Sequence, residues 1–145
     1  MTDTLAYYDQ HAVTFFAQTA NVDMSALQER FLSHIQPGGY VLDAGCGSGR
    51  DAKAFLARGY RVAAFDASPR LAQLASEYIG QAVAVHGFTD VAELGCYDGI
   101  WACARPQASM IVKTKSARVC SAAALMSLTE RYLESSAWGA MSMGR

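Results

Sequence analysis

The sequence predicts an α/β fold, an open and mostly parallel sheet with helices packed against it. Three observations carry this reading. Short apolar runs alternate with segments of helical spacing, and proline and glycine punctuate the boundaries. One of the apolar runs ends in a loop with glycine at alternate positions, VLDAGCGSGRD from Val41 to Asp51.

The elements follow in order. Thr4 to Thr19 and Ser25 to Ile35 carry apolar residues at helical spacing, and in the second stretch these are Leu27, Phe31, Leu32 and Ile35, with Asp23 or Ser25 as the cap. Pro37, Gly38 and Gly39 stop that helix, so YVLDAG reads as the first strand. RDAKAFLARG follows as a helix closed by Gly59. YRVAAFDAS is the second strand, and PRLAQLASEYIG a helix with Pro69 in its first turn and Gly80 past its end. AVAVHG is a third strand and YDGIWACA a fourth.

Composition bounds the function classes. A chain of 145 residues, 52% hydrophobic and 17% charged, has the material for one domain with a real core, which excludes whole-chain disorder. No apolar run approaches the roughly 18 to 20 residues that span a bilayer, and Met1 to Asp9 holds two acids where a secretory leader would be basic and apolar. Cys46, Cys96, Cys103 and Cys120 form no C-x-x-C and read as free thiols in a reducing, cytoplasmic compartment. His11, His34 and His86 show no metal spacing, so no metal centre is expected.

The glycine loop points to a ligand. In an open parallel sheet, ligands sit beyond the carboxyl ends of the strands, and residues without Cβ let the backbone approach them. Gly45, Gly47 and Gly49 give G-x-G-x-G, whereas the dinucleotide fingerprint wants glycine where Arg50 stands, and no G-K-[ST] closes a P-loop. A pyrophosphate is therefore disfavoured, and with it a nicotinamide-dependent oxidoreductase. Asp66 ends the second strand, where a carboxylate can accept from two vicinal ribose hydroxyls; it also reads as a cap for the helix that DASP begins. Asp43, at the end of the first strand, adds negative charge suited to a cationic amino-acid or sulfonium group. Cys46 reads as small filler within the loop.

The run VLDAGCGSGRDAKAFLARGYRVAAFDAS resembles the first two motifs of class I S-adenosylmethionine-dependent methyltransferases. From YYDQHA to GIWACA, about residues 5–104, the chain is similar to tellurite-resistance-type and methyltransferase-domain members. The resemblance implies a Rossmann-like, doubly wound, mostly parallel sheet, with about four of the usual seven strands recognisable. It implies S-adenosyl-L-methionine as cofactor, wrapped by Asp43, Gly45, Cys46, Gly47 and Gly49, with Asp66 on the ribose and Ala67 and Ser68 beside the adenine. Phe88, Thr89 and Asp90 would meet the adenine amino edge, with a surface loop an equal reading, and Tyr7 and Tyr8 would be candidates for an N-terminal lid, although packing aromatics at a helix start are the commoner reading of such a pair. No catalytic residue stands out, because methyl transfer from a sulfonium depends chiefly on alignment.

The chain departs from that family after Ala104. Residues 1–104 carry eleven acids and six bases, while 105–145 carry two acids and six bases and are rich in serine. The expected division is a methyltransferase domain over 1–104, incomplete, and an atypical tail over 105–145, out of register with an ancestral reading frame. RPQASMIVKTKSARVC follows GIWACA with no P-G-G turn and no clear strand pair, so the edge of the fourth strand, Ile100 and Trp101 included, is expected to lack its cover. Scattered bases between 113 and 118, without interleaved aromatics, do not make a nucleic-acid surface. The expected activity is transfer of a methyl group to a small-molecule acceptor, with no nucleic-acid or membrane partner. The alternative is a relic of such an enzyme without catalytic activity.

Overall fold

The computed structural model describes residues 2–87, 97–105 and 108–113. Its elements are α1 (Thr2–Gln10), α2 (Ala12–Thr19), α3 (Ser25–Leu32), β1 (Tyr40–Ala44), α4 (Arg50–Ala57), β2 (Arg61–Asp66), α5 (Pro69–Ile79), β3 (Ala84–Val85), β4 (Gly99–Arg105) and β5 (Ala108–Lys113). The strands lie in the order β3-β2-β1-β4-β5, the first four parallel and β5 antiparallel to β4. Chain order therefore reverses at β1, which has β2 on one side and β4 on the other. That reversal opens a crevice at the carboxyl end of β1.

Local chemistry accounts for the boundaries. Ser68 caps α5 by accepting from the Leu71 N–H, Pro69 opens the helix, and Gly80 closes it in the left-handed conformation. Asp23 accepts from the Ser25 N–H at the entry to α3. The helix expected over Thr4 to Thr19 is divided at His11, whose φ of −106° and ψ of 19° leave the helical region between α1 and α2.

The region beyond Ala104 corrects one expectation. A strand does follow: β5 pairs with β4 from Gly99 opposite Lys113 to Arg105 opposite Ala108, with a register shift near Cys103. The apolar, β-branched run MIVK suits a strand, and an antiparallel partner needs only a tight turn rather than a crossover. The edge of β4 is thus paired, and Ile100 and Trp101 are both fully buried. The helical spacing at Val119, Ala122, Met126 and Leu133 lies outside the described residues.

One face of the sheet carries the helices. Val41, Val62, Ala64 and Trp101 pack with Phe31, Leu32 and Ile35 from α3 and its C-terminal turn, Ala52 and Phe55 of α4, and Ala72 and Ala75 of α5. Phe31, Phe55 and Trp101 form a ring cluster with centroids 5.2 to 5.5 Å apart. Gly99 lets α3 approach closely, since a Cβ there would stand 2.5 Å from Ile35 Cδ1. Asp43 lies on this same face, opposite Ala64 of β2 and Trp101 of β4. The core therefore fixes the carboxylate that begins the glycine loop.

Candidate functional site

The loop from β1 to α4 turns at three left-handed glycines. Gly45, Gly47 and Gly49 have φ of 69°, 56° and 82°, values that residues bearing a Cβ adopt only under strain. Two of the glycines also make room for helices. A Cβ on Gly49 would lie 2.9 Å from Ile79 Cγ2 of α5, and one on Gly47 would lie 3.1 Å from Phe15 of α2. The Cys46 N–H donates to the Phe65 carbonyl at 2.9 Å, which ties the loop to β2. Burial pushes the Cys46 thiol up, and the Asp43 and Asp66 charges push the same way, so it stays a thiol.

Asp66 is held by backbone amides. One of its oxygens accepts from the Gly47 N–H and the other from the Ser68 N–H, each at 2.9 Å. Burial raises its carboxyl above the usual range, and the N–H groups of Ser68, Gly47 and Ala67 pull it back in part. The arrangement also settles what begins α5: the cap is the Ser68 hydroxyl, while Asp66 orders the turn before it. That hydroxyl donates in turn to Asp9 of α1 at 2.9 Å, and the same Asp9 oxygen accepts from the Arg70 N–H at 3.1 Å. The N-terminal helices thus close on the turn that holds Asp66.

Asp43 and Asp51 lie behind the loop. Asp51, in the first turn of α4, accepts from Gln28 Nε2 at 2.7 Å, Trp101 Nε1 at 2.9 Å and the Arg50 guanidinium at 3.0 and 3.1 Å. Arg50 also reaches the Thr19 carbonyl at 3.4 Å. One carboxylate therefore joins α3, α4 and β4, and Arg50 extends the joint to α2. Asp43 is treated differently: it is 1% exposed, and among the described residues its Oδ2 has no hydrogen-bond partner. Burial pushes its carboxyl well above the usual range, and Asp51 and Asp66 add to this, while Arg50 and the Ala52 N–H oppose it.

A glycine turn at the chain reversal, with a carboxylate ending each of the two adjoining strands, matches a profile described as "Methyltransferase domain" over residues 16–104. The chain belongs to the methyltransferase-domain family. Among curated proteins no relative matches it. Solved structures do. A chain of the Haloferax volcanii complex between the Trm112 methyltransferase activator and a methyltransferase is 23% identical with a TM-score of 0.54, covering 66% of this chain and 46% of that one. Burkholderia thailandensis 1,6-didemethyltoxoflavin-N1-methyltransferase, with 1,6-didemethyltoxoflavin and S-adenosylhomocysteine bound, is 27% identical with a TM-score of 0.46 and coverages of 68% and 48%. Geranyl diphosphate C-methyltransferase from Streptomyces coelicolor A3(2), crystallised with S-adenosyl-L-homocysteine, is 24% identical with a TM-score of 0.44 and coverages of 54% and 32%. This chain spans about a third to a half of the length of those three. The first of these likenesses supports the Rossmann-like fold.

Within this methyltransferase domain the structure brings together most of the residues singled out in the sequence. Asp43, Gly45, Cys46, Gly47, Gly49, Asp66 and Ser68 line the two turns at the ends of β1 and β2, and Ala67 is exposed beside them. Ser68 is buried, with its hydroxyl engaged by Asp9 and Leu71. Phe88, Thr89 and Asp90 lie outside the described residues. Tyr7 stacks on His11 and is 58% exposed, while Tyr8 meets Phe15 edge-on. An aromatic that reaches the glycine loop is Phe15, beside Gly47.

Asp9, Phe15, Asp51 and Trp101 were not legible as site residues. Asp51 carried a partial signal, because a buried strand tryptophan requires an acceptor and a helix first turn favours an acid. Asp9 carried none, since its partners lie 59 and 61 residues away. Among the described residues no group of three or more His, Cys, Asp or Glu could hold a metal ion, and no helix is long and apolar enough to cross a membrane.

Proposed function

We propose that the chain is an S-adenosylmethionine-dependent methyltransferase acting on a small-molecule acceptor in the cytoplasm. The observation that carries this reading is the pair of strand-end carboxylates flanking an all-left-handed glycine turn. Asp66 has its orientation fixed by Gly47 and Ser68, and Asp43 has a buried oxygen with no hydrogen-bond partner among the described residues. Asp66 still has acceptor capacity for the ribose hydroxyls, since each carboxylate oxygen offers about two lone-pair sites. Asp43 supplies the negative charge that a cationic methionine portion needs. Gly45, Cys46 and Gly47 offer backbone without bulk to the same portion, and Ala67 flanks the adenine.

When bound, the cofactor supplies a methyl group made electrophilic by a positively charged sulfur. The chain's own work is positional. Asp66 and the glycine turn fix the donor, and Asp9 and Phe15 hold the N-terminal helices over it, so that an acceptor at near-attack distance needs little help from an acid or a base. An acidic balance over residues 1–104 argues for a small-molecule acceptor rather than a nucleic acid.

Isothermal titration with S-adenosylhomocysteine tests the reading. Saturable binding is expected, and Asp66→Ala should weaken it by roughly 1.5 to 3 kcal/mol, the worth of a hydrogen bond to a charged group. An unchanged affinity removes Asp66 from the site. No binding by a demonstrably folded chain assigns the alternative, a methyltransferase relic without activity.

A further inference from the structure

Three carboxylates converge behind the glycine loop, and they are not equivalent. Asp51 on α4 has all its acceptor directions answered by Gln28, Trp101 and Arg50. Asp66 on β2 is answered by two backbone amides. Asp43 on β1 is the most deeply buried of the three, and among the described residues its Oδ2 is the buried side-chain atom left without a hydrogen bond. The charged and titratable groups facing it are Asp51 and Arg50 from α4, Asp66 from β2 and the Cys46 thiol from the loop. From β4, Trp101 faces the same region, but its indole N–H is directed to Asp51. Arg50 forks onto Asp51, and its charge lowers the Asp43 carboxyl less than burial and the Asp51 charge raise it.

A bare carboxylate in that place is costly, because it is desolvated and stands between two like charges. A neutral acid there is much less so. A cation entering the loop reverses the balance, since an opposite charge at contact distance favours the ionised form. We propose that Asp43 meets the positive group of the ligand as a neutral acid and surrenders its proton as the ligand binds, so that cofactor capture releases a proton to solvent. The inference rests on the cofactor reading above. The bookkeeping is simple: the carboxylic acid and a cationic ligand become a carboxylate paired with that cation, and the proton passes to buffer. Burial and the two neighbouring acids, which hold the Asp43 carboxyl above the usual range, act in the direction the proposal needs. Binding then grows stronger as pH rises toward the titration of ligand-free Asp43, by up to tenfold per pH unit below it.

Two measurements test this. In the ligand-free chain, the carboxyl ¹³C resonance of Asp43, assigned by comparison with Asp43→Asn, is followed against pH. Titration above the ordinary aspartate range is expected, and titration within that range overturns the proposal without any ligand. S-adenosylmethionine and S-adenosylhomocysteine are then titrated calorimetrically, in buffers of different ionisation enthalpy, at a pH below that transition. The slope of enthalpy against buffer ionisation is expected to report release of about one proton per ligand, and Asp43→Asn should remove the slope. Release with both ligands assigns the amino group as the cation that Asp43 receives, and release with S-adenosylmethionine alone assigns the sulfonium. Binding with no slope overturns the proton linkage and leaves the cofactor reading standing. Absence of binding by either ligand overturns the cofactor reading and the linkage with it.

Discussion

Asp43 and Asp66 end neighbouring parallel strands of one sheet, and the fold treats them in opposite ways. Asp66 is part-buried, its oxygens fixed by the amides of Gly47 and Ser68, and those two residues are themselves pressed by Phe15 and Asp9 from the N-terminal helices. Asp43 is fully buried against the helical layer and, among the described residues, keeps an oxygen without a hydrogen-bond partner. The difference follows from the pleat and the layers. Asp43 points to the face that carries α4 and its Asp51, whereas Asp66 sits at the last position of β2, where the chain turns and bare amides are at hand. An acid with both oxygens held by amides is an oriented acceptor, and an acid whose Oδ2 lacks a donor is a stored demand for positive charge.

The largest effect is expected from removing the scaffold that both share. Asp51→Ala leaves Trp101 Nε1, Gln28 and Arg50 without their acceptor and should destabilise the chain by about 3 to 5 kcal/mol, as breaking a buried pair from one side does. Urea denaturation followed by tryptophan fluorescence measures it. A loss below about 1 kcal/mol would show that the joint between α3, α4 and β4 is carried by packing alone.

A smaller effect separates the two acids by pH. Both carboxyls are raised above their ordinary value of 3.8, so their contribution to stability is complete below that pH and is lost as pH rises through the folded-state values. The ligand-free chain should therefore lose stability from these groups between mildly acidic and neutral pH. Asp43→Asn should raise the melting temperature more at pH 7 than at pH 5, at about 2 to 4 °C for each kcal/mol recovered. An equal shift at both pH values would mean that Asp43 is already ionised across that range.

The smallest effect tests the support of Asp66. Asp9→Ala removes two partly exposed hydrogen bonds and should cost about 1 kcal/mol, while cleavage by protease within α1 accelerates. Unaltered proteolysis would indicate that Phe15 alone holds the helix pair down.

How much of this the sequence disclosed depended on how local the physics was. The four parallel strands, the glycine turn and the helix with Pro69 and Gly80 at its ends were readable, because each is set by residues within a few positions. The strand at Ala108–Lys113 is weakly marked although MIVK has the right character, since its apolar run is short and is flanked by basic and polar residues. The loop glycines were read as making way for a ligand. Gly49 and Gly47 also make way for Ile79 and Phe15, contacts that exist only once α5 and α2 have docked. The Asp51 hub and the Asp9 contact join residues 23 to 61 positions apart, and no periodicity encodes such pairings.

The contact between Asp9 and Ser68 has a consequence for how the chain is born. At about 5 to 20 residues per second, the ribosome delivers the partner of α1 several seconds after α1 itself, because 59 residues separate the two. During that interval Asp9 has no β2–α5 turn to close on, and Phe16 lacks the ring of Tyr78 on α5. A nascent chain stalled before residue 68 leaves α1 and α2 undocked, and release past α5 is the step that seats them.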